Sequence, residues 1–267
     1  MNVQLELART LTSNDTLGVW NCTIHESVMF HDGTEFTAGD VVASVALHMQ
    51  GGVGMIKNTV ARTEKVGKYA VRFHLSQPNA EFPYALAEYR AVMFKAKDNL
   101  DEMGFDGIGT GPLQLIETDN ARQFRSRRNE NYWMENGPYL DELHGVITTG
   151  NAAINGFRSG QLNTVYYIDP GQIGQFEDAA GKIQAPASGD QFYVVLPKNV
   201  SFPWNDQRVR KAMALAIDRN KINAVVYNDP DGWAGSDSHM NGVNGEFVAR
   251  GIVRDVAQAK ALLAEAG

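Results

Sequence analysis

Carboxylates, histidines, arginines and one thiol are the side chains of this 267-residue chain whose chemistry could make it reactive, and their spacing tests each possibility. Glu81 with Glu88, and Asp141 with Glu142, are carboxylate pairs of the kind that flank a glycosidic bond when a fold brings them together. An acidic surface is the simpler reading of both pairs, because ionised carboxylates stay in water unless something pairs them. The six histidines, at 25, 31, 48, 74, 144 and 239, include no pair four residues apart, the spacing that sets two imidazoles on one helix face for zinc. Cys22 has no second thiol with which to form a bridge or share a metal, and a lone thiol is compatible with either redox compartment. No Gly-x-Ser-x-Gly turn presents a serine nucleophile. His31 and Asp32, as neighbours on a strand, would point to opposite faces rather than join as a base and its orienter.

Two further clusters invite a nucleic-acid or phosphate reading. Gly107, Gly109 and Gly111 resemble a phosphate cradle, yet no Lys-Ser/Thr follows, and Pro112 leads into the strand-like Leu113-Gln114-Leu115 rather than a helix N-terminus. A crossover between structural units is the better reading. Arg122, Arg125, Arg127 and Arg128 lie near Phe124, Tyr132 and Trp133, which imitates a stacking platform for single strands. Glu130 and Glu135 dilute that patch, and arginines interleaved with Phe124 and Ser126 fit a strand whose solvent face is charged. The net charge of −7 gives the chain nothing to gain from counterion release, so nucleic acid is not an expected partner.

The elements that must position these residues follow from periodicity. Between Val19 and Phe30, Trp20, Cys22 and Ile24 alternate with Asn21, Thr23 and His25, the period of a half-buried strand. Tyr69, Val71, Phe73 and Leu75 alternate with Ala70, Arg72, His74 and Ser76, and Pro78 ends that ladder. Thr37 and Asp40 form a capping box ahead of a helix whose Val41, Val42, Val45 and Met49 share one face. Asp206 caps a helix with a face of Val209, Ala212, Met213, Ala216 and Ile217, and Asp218 caps another through Val226. Asp255, with Gln258 three residues on, starts a helix whose Val256, Ala259, Leu262 and Leu263 form an apolar stripe before Gly267. Phe192 to Leu196 reads as a strand covered on both faces. Alternating strands and helices in the second half predict the α/β class, with chain breaks at 107–112 and 229–245. No stretch approaches the roughly 18 consecutive apolar residues of a membrane span. Met1-Asn2-Val3-Gln4-Leu5-Glu6 is not the start of an export signal, so the signal peptide is expected to be absent from this chain.

Five runs in order resemble the family 5 extracytoplasmic solute-binding proteins, the oligopeptide-, dipeptide- and nickel-binding receptors of ABC importers. They are Val28-Met29-Phe30-His31-Asp32-Gly33-Thr34-Glu35-Phe36-Thr37-Ala38-Gly39-Asp40-Val41, Gly109-Thr110-Gly111-Pro112-Leu113, Arg128-Asn129-Glu130-Asn131-Tyr132-Trp133, Asp206 to Ala212 with Ala216-Ile217-Asp218-Arg219, and Ala259 to Gly267. Departures are local: His25-Glu26-Ser27 stands where the family carries Arg-Asp/Glu-Gly, and Gly160-Gln161-Leu162-Asn163 where it carries Gly-Glu-x-Asp.

The resemblance implies a periplasmic-binding-protein-like type II fold of the α/β class, with mixed sheets, two lobes and a small extra domain, here truncated at both ends. Residues 1–110 would form the small extra domain, 111–228 part of the first lobe and 229–267 the beginning of the second. It implies a peptide-like or other small-molecule ligand enclosed between lobes and delivery to ABC permease subunits, in a periplasmic or extracytoplasmic setting; with no nucleophile, metal or cofactor motif among the residues, no cofactor, no metal site built from a recognisable motif and no catalysis are expected. Tyr89 and Tyr193 are the expected stacking or hydroxyl contacts, Arg90 or Asp190 the charge partner, and Gln191 an amide hydrogen-bonding group. The alternatives left open are an α/β hydrolytic enzyme and a nonfunctional truncated fragment.

Overall fold

The computed structural model describes residues 3–104, 106–119, 122–135, 137–166, 168–177, 196, 201–226 and 251–267. The chain divides into two units, Met1–Ile147 and Thr148–Gly267.

In the first unit, β1 (Ala8–Ser13), β2 (Val19–Ile24), β3 (Val60–Gly67) and β4 (Ala70–Leu75) form an antiparallel sheet in the order β1-β2-β4-β3. Trp20, Cys22 and Ile24 of β2 and Val71 and Phe73 of β4 are buried, as their alternation predicts. They are packed with buried residues of α1 (Ala38–Leu47), α2 (Gly54–Thr59) and α3 (Phe82–Leu86), among them Val41, Val45, Ile56 and Phe82. Fully burying side chains of this size contributes roughly 1.5–3 kcal/mol each. The capping box of α1 forms as expected: the Thr37 hydroxyl accepts from the Gly39 N–H, and Asp40 Oδ2 accepts from the Thr37 N–H at 2.7 Å.

Two expectations for this unit change. The alternation from Val19 does not run on as strand to Phe30; β2 ends at Ile24, and Ser27 takes a positive φ of 62° that an extended strand cannot contain. His31 and Asp32 lie in a turn closed by Phe30 and Thr34, so their side chains are not strand neighbours on opposite faces.

A second sheet follows, β5 (Leu113–Asp119), β6 (Gln123–Arg128) and β7 (Glu142–Val146), antiparallel with β6 in the middle. The arginine-rich strand is thus real. Its charges are met from the flanking strand β7 and the residue before it: Arg125 pairs with Glu142 at 2.5 Å and Arg128 with Asp141 at 2.6 Å. Ser126 is buried, and Phe124 lies over Gly145, where an added Cβ would come within 2.1 Å of the ring. The sheets among the described residues are antiparallel.

The described part of the second unit is helical: α4 (Gly150–Arg158), α5 (Ile173–Glu177), α6 (Gln207–Ala216), α7 (Arg219–Val226) and α8 (Val256–Ala266). Asp206 caps α6 by accepting from the Arg208 N–H at 2.7 Å, Asp218 caps α7 through Lys221, and Asp255 caps α8 through Gln258. Of the expected α6 face, Ala212 is buried and Val209 and Ile217 are half-buried, but Met213 and Ala216 are exposed and Leu215, outside that face, is buried instead. Packing against Ala259 of α8 selects Leu215. The stripe of α8 is divided: Ala259 is buried and Leu262 partly so, while Val256 and Leu263 remain exposed. The expected strand Phe192 to Leu196 and the break at 229–245 lie outside the described residues, apart from Leu196.

Candidate functional site

Three of the sequence runs meet in the first unit. Between the strands, the turn that carries His31 reaches the glycine crossover: the His31 N–H donates to the Gly109 carbonyl at 2.8 Å, and His31 Nδ1 accepts from the Gly109 N–H at 3.2 Å. The carbonyl of Gly111 can only accept, so His31 Nε2, 3.0 Å away, donates to it, although a ring nitrogen on each side of one imidazole binding the same short run also fixes which tautomer is present. Asn129 closes the third side. Its amide donates to the Gly111 carbonyl at 3.0 Å, its N–H to the Pro112 carbonyl, and its side-chain oxygen accepts from the Asn131 N–H. Trp133, further along that run, packs its ring 5.3 Å from His25. The glycine run is therefore engaged by the His31 and Asn129 side chains, which suits a held chain segment better than a phosphate cradle.

Beside this junction is a cleft of about 440 Å³ lined by His31, Gln114, Arg127, Arg128, Asn129 and Asp141, among others. Its polar groups are largely engaged with one another: Arg127 donates to Gln114 Oε1, and Arg128 to Asp141. That pairing suits a structural seam better than a reaction centre. Asp32, in the same turn as His31, is ion-paired with Lys95 and accepts from the Thr34 hydroxyl, and the Lys95 ammonium first among these holds its carboxyl down to about 2.

Tyr89 and Arg90 follow α3 and are brought together. Tyr89 is 83% exposed, and the Arg90 guanidinium lies 5.3 Å from the centre of its ring. Glu88 Oε1 accepts from Arg90 Nε at 2.7 Å while its other oxygen accepts from the Arg90 N–H, and that carboxylate raises the guanidinium pKa above its usual value. This leaves an exposed aromatic face, a phenolic hydroxyl and the two Nη nitrogens of Arg90 as donors, a set suited to a carboxylate or a flat polar group. Asp190, Gln191 and Tyr193 lie outside the described residues.

Three of the four carboxylates in the enzyme-like pairs are engaged by local arginines, Glu88 by Arg90, Asp141 by Arg128 and Glu142 by Arg125. Cys22 is buried, and burial pushes its thiol up to about 11, the opposite of an activated nucleophile. Among the described residues no group of three His, Cys, Asp or Glu is placed to hold a metal ion, and no helix is long and apolar enough to cross a membrane.

Sequence reasoning missed the part played by Ser44 on α1 and His48 just past its end, which hold the segment leading away from Arg90. A signal was available: they stand four and eight residues after Asp40, beside the apolar Val41 and Val45.

The profile of the bacterial extracellular solute-binding proteins, family 5 Middle, matches residues 2–267. The oligopeptide-binding protein AppA of Bacillus subtilis is 28% identical over 249 residues, which cover 87% of this chain and 45% of that protein. The glutathione-binding protein GsiB of Salmonella typhimurium is 28% identical over 289 residues, covering 100% of this chain and 54% of GsiB. Among solved structures, NikZ from Campylobacter jejuni in complex with Ni(L-His) superposes with a TM-score of 0.82 at 21% identity, over 98% of this chain and 54% of NikZ. AppA from Bacillus subtilis in complex with a nonapeptide superposes with a TM-score of 0.75 at 23% identity, over 100% of this chain and 56% of AppA. The fold is that of these binding proteins, and the chain spans about half the length of the relatives it matches.

Proposed function

This chain belongs to the family 5 bacterial extracellular solute-binding proteins, and on that footing we propose that it is part of the substrate-binding receptor of an ABC importer. The receptor captures a peptide or similar small solute between two lobes and delivers it to permease subunits. The observation that carries this reading is the family match over residues 2–267. Names of relatives support the ligand class: AppA is an oligopeptide-binding protein and GsiB a glutathione-binding protein, and both ligands are peptide-like. Tyr89 and Arg90 are the proposed contacts in the described part, with Asp190, Gln191 and Tyr193 as further proposed contacts. In this reading residues 1–110 are the small extra domain, 111–228 belong to the first lobe and 229–267 open the second.

Family members are binding proteins, not enzymes. We extend that to this chain, and the paired carboxylates and the suppressed Cys22 thiol support the extension. Family 5 proteins are extracytoplasmic, and the proposed location of this one is outside the inner membrane, held to the importer.

The test is to purify the full-length gene product without denaturation and identify co-purifying small molecules by mass spectrometry, with fractionation of the same tagged protein. A peptide-like molecule released in amounts near one per protein, and lost in Arg90→Ala, is the expected result. Purely cytosolic protein that carries no small molecule would sink the reading.

A further inference from the structure

Helix α1 buries three polar residues at four-residue steps, Asp40, Ser44 and His48, the last standing just beyond its end. Four residues of helix advance about 6 Å and two residues of extended chain about 6.6 Å, so such a stripe can match every second residue of an extended segment laid along it. Residues 92–96 are that segment, and they run antiparallel to the helix. Asp40 Oδ1 accepts from the Ala96 N–H at 2.9 Å. The Ser44 hydroxyl accepts from the Phe94 N–H at 2.8 Å and stands within donating distance of the Asp40 and Phe94 carbonyls, at 2.7 and 3.2 Å. His48 Nε2 donates to the Val92 carbonyl at 2.8 Å, with its ring 5.9 Å from that of Phe94. The other side of the segment is tied by charge, Lys95 to Asp32 and Lys97 to Asp106.

We propose that Asp40, Ser44 and His48 are positioning residues for the ligand-contacting pair Tyr89 and Arg90, acting through the backbone of residues 92–96. This rests on the reading of Tyr89 and Arg90 as ligand contacts. The physical reason is register. An apolar contact would hold the segment but let it slide; a ladder of buried hydrogen bonds to alternate residues does not. A slip of one residue would leave the buried Ser44 and His48 without their partners and disrupt the ion pairs of Lys95 and Lys97. A slip of two would shift Tyr89 along the chain by about 6.6 Å, enough to remove it from any ligand it touches. The fixed Val92 carbonyl stands two residues from Arg90, and on the other side the buried Phe82 anchors α3, so Glu88-Tyr89-Arg90 is held from both ends.

The test uses the full-length protein with fluorotyrosine at position 89, a spectroscopic reporter of that side chain, and a defined mixture of dipeptides to nonapeptides as the binding probe. Ser44→Ala and His48→Leu are expected to split or broaden the fluorine signal, speed hydrogen exchange at the Phe94 and Ala96 amides about tenfold, and lower peptide retention by a similar factor. His48→Gln, which returns an N–H near the position of Nε2, restores the signal and the retention. Val45→Ala, which removes buried volume from the same helix while leaving every hydrogen bond to residues 92–96 in place, serves as the control for stability alone. A similar signal change in Val45→Ala, or an unchanged signal in both Ser44→Ala and His48→Leu, overturns the proposal. So does unaltered retention in the ladder variants if Tyr89→Ala lowers it. If instead the ladder variants move the signal while Tyr89→Ala and Arg90→Ala retain peptides like the parent, the ladder stands and the reading of Tyr89 and Arg90 as contacts falls.

Discussion

The two sheets of the first unit are both antiparallel, yet they use alternation differently. In β2 and β4 it separates a buried face from a solvent face: Trp20, Cys22, Ile24, Val71 and Phe73 are all buried. In β5, β6 and β7 the apolar residues Leu115, Ile116, Phe124, Leu143 and Val146 are each more than a third exposed, and Ser126 is the strand residue that is buried. The first sheet is held by what covers it, the second by its own ladder and by charge pairs across it. Periodicity thus reports that a strand has two faces; the packing of other elements decides whether either becomes a core.

The sharpest way to break this contrast is a matched pair of truncations. Phe73→Ala, at a position 1% exposed, is expected to cost about 3–5 kcal/mol, whereas Ile116→Ala, at 51% exposed, should cost less than about 1 kcal/mol in the same denaturant titration of this chain. Equal losses would mean that the second sheet is as much a core as the first.

The second largest effect belongs to the edge of the covered region. Thr37→Ala removes the N-cap of α1 and is expected to cost about 0.5–2 kcal/mol, read as a lowered midpoint with an unchanged slope. Next comes acid. Because Lys95 holds Asp32 near 2, below the ordinary 3.8, Asp32 contributes stability that is present above the ordinary value and lost as pH falls from there toward 2. Asp32→Asn should therefore flatten stability against pH across that window and leave its shape near neutrality unchanged; an identical acid limb in the variant would refute the assignment. Smallest is the coupling between Arg125 and Glu142, nearly half exposed on both sides, for which a double-mutant cycle should return about 0.2–1 kcal/mol that shrinks with added salt.

What could be read from sequence follows the same division. β2 and β4, central in their sheet and covered on one face, have clean alternation, and the capping box at Thr37 and Asp40 is visible because its geometry is local. β1 and β3 are edges, and Arg62, Glu64 and Lys65 on β3 blur its period while discouraging further strand pairing. The face of α6 was legible only in part, at Ala212, since Leu215 and Met213 are both apolar and the choice between them is made by Ala259 more than forty residues away. At the site, Tyr89 and Arg90 come from a resemblance, while Ser44 and His48 escaped notice because polar residues within a helix are ordinarily assigned to water. Only the position of residues 92–96 shows what they hold.

The junction at His31 also has a bearing on how the chain folds. Its hydrogen bonds to Gly109 and Gly111 join residues 78 and 80 apart, whereas β5, β6 and β7 pair through connections that stay within 34 residues from Leu113 to Val146. Closing so long a loop costs chain entropy before any contact rewards it, and that places the His31 latch late, after hairpins and helices have shortened the distance its ends must search. A bond made after the rate-limiting barrier slows escape from the native state more than it hastens arrival there. The imidazole of His31 would then serve chiefly as a brake on unfolding, lengthening the lifetime of the assembled first unit.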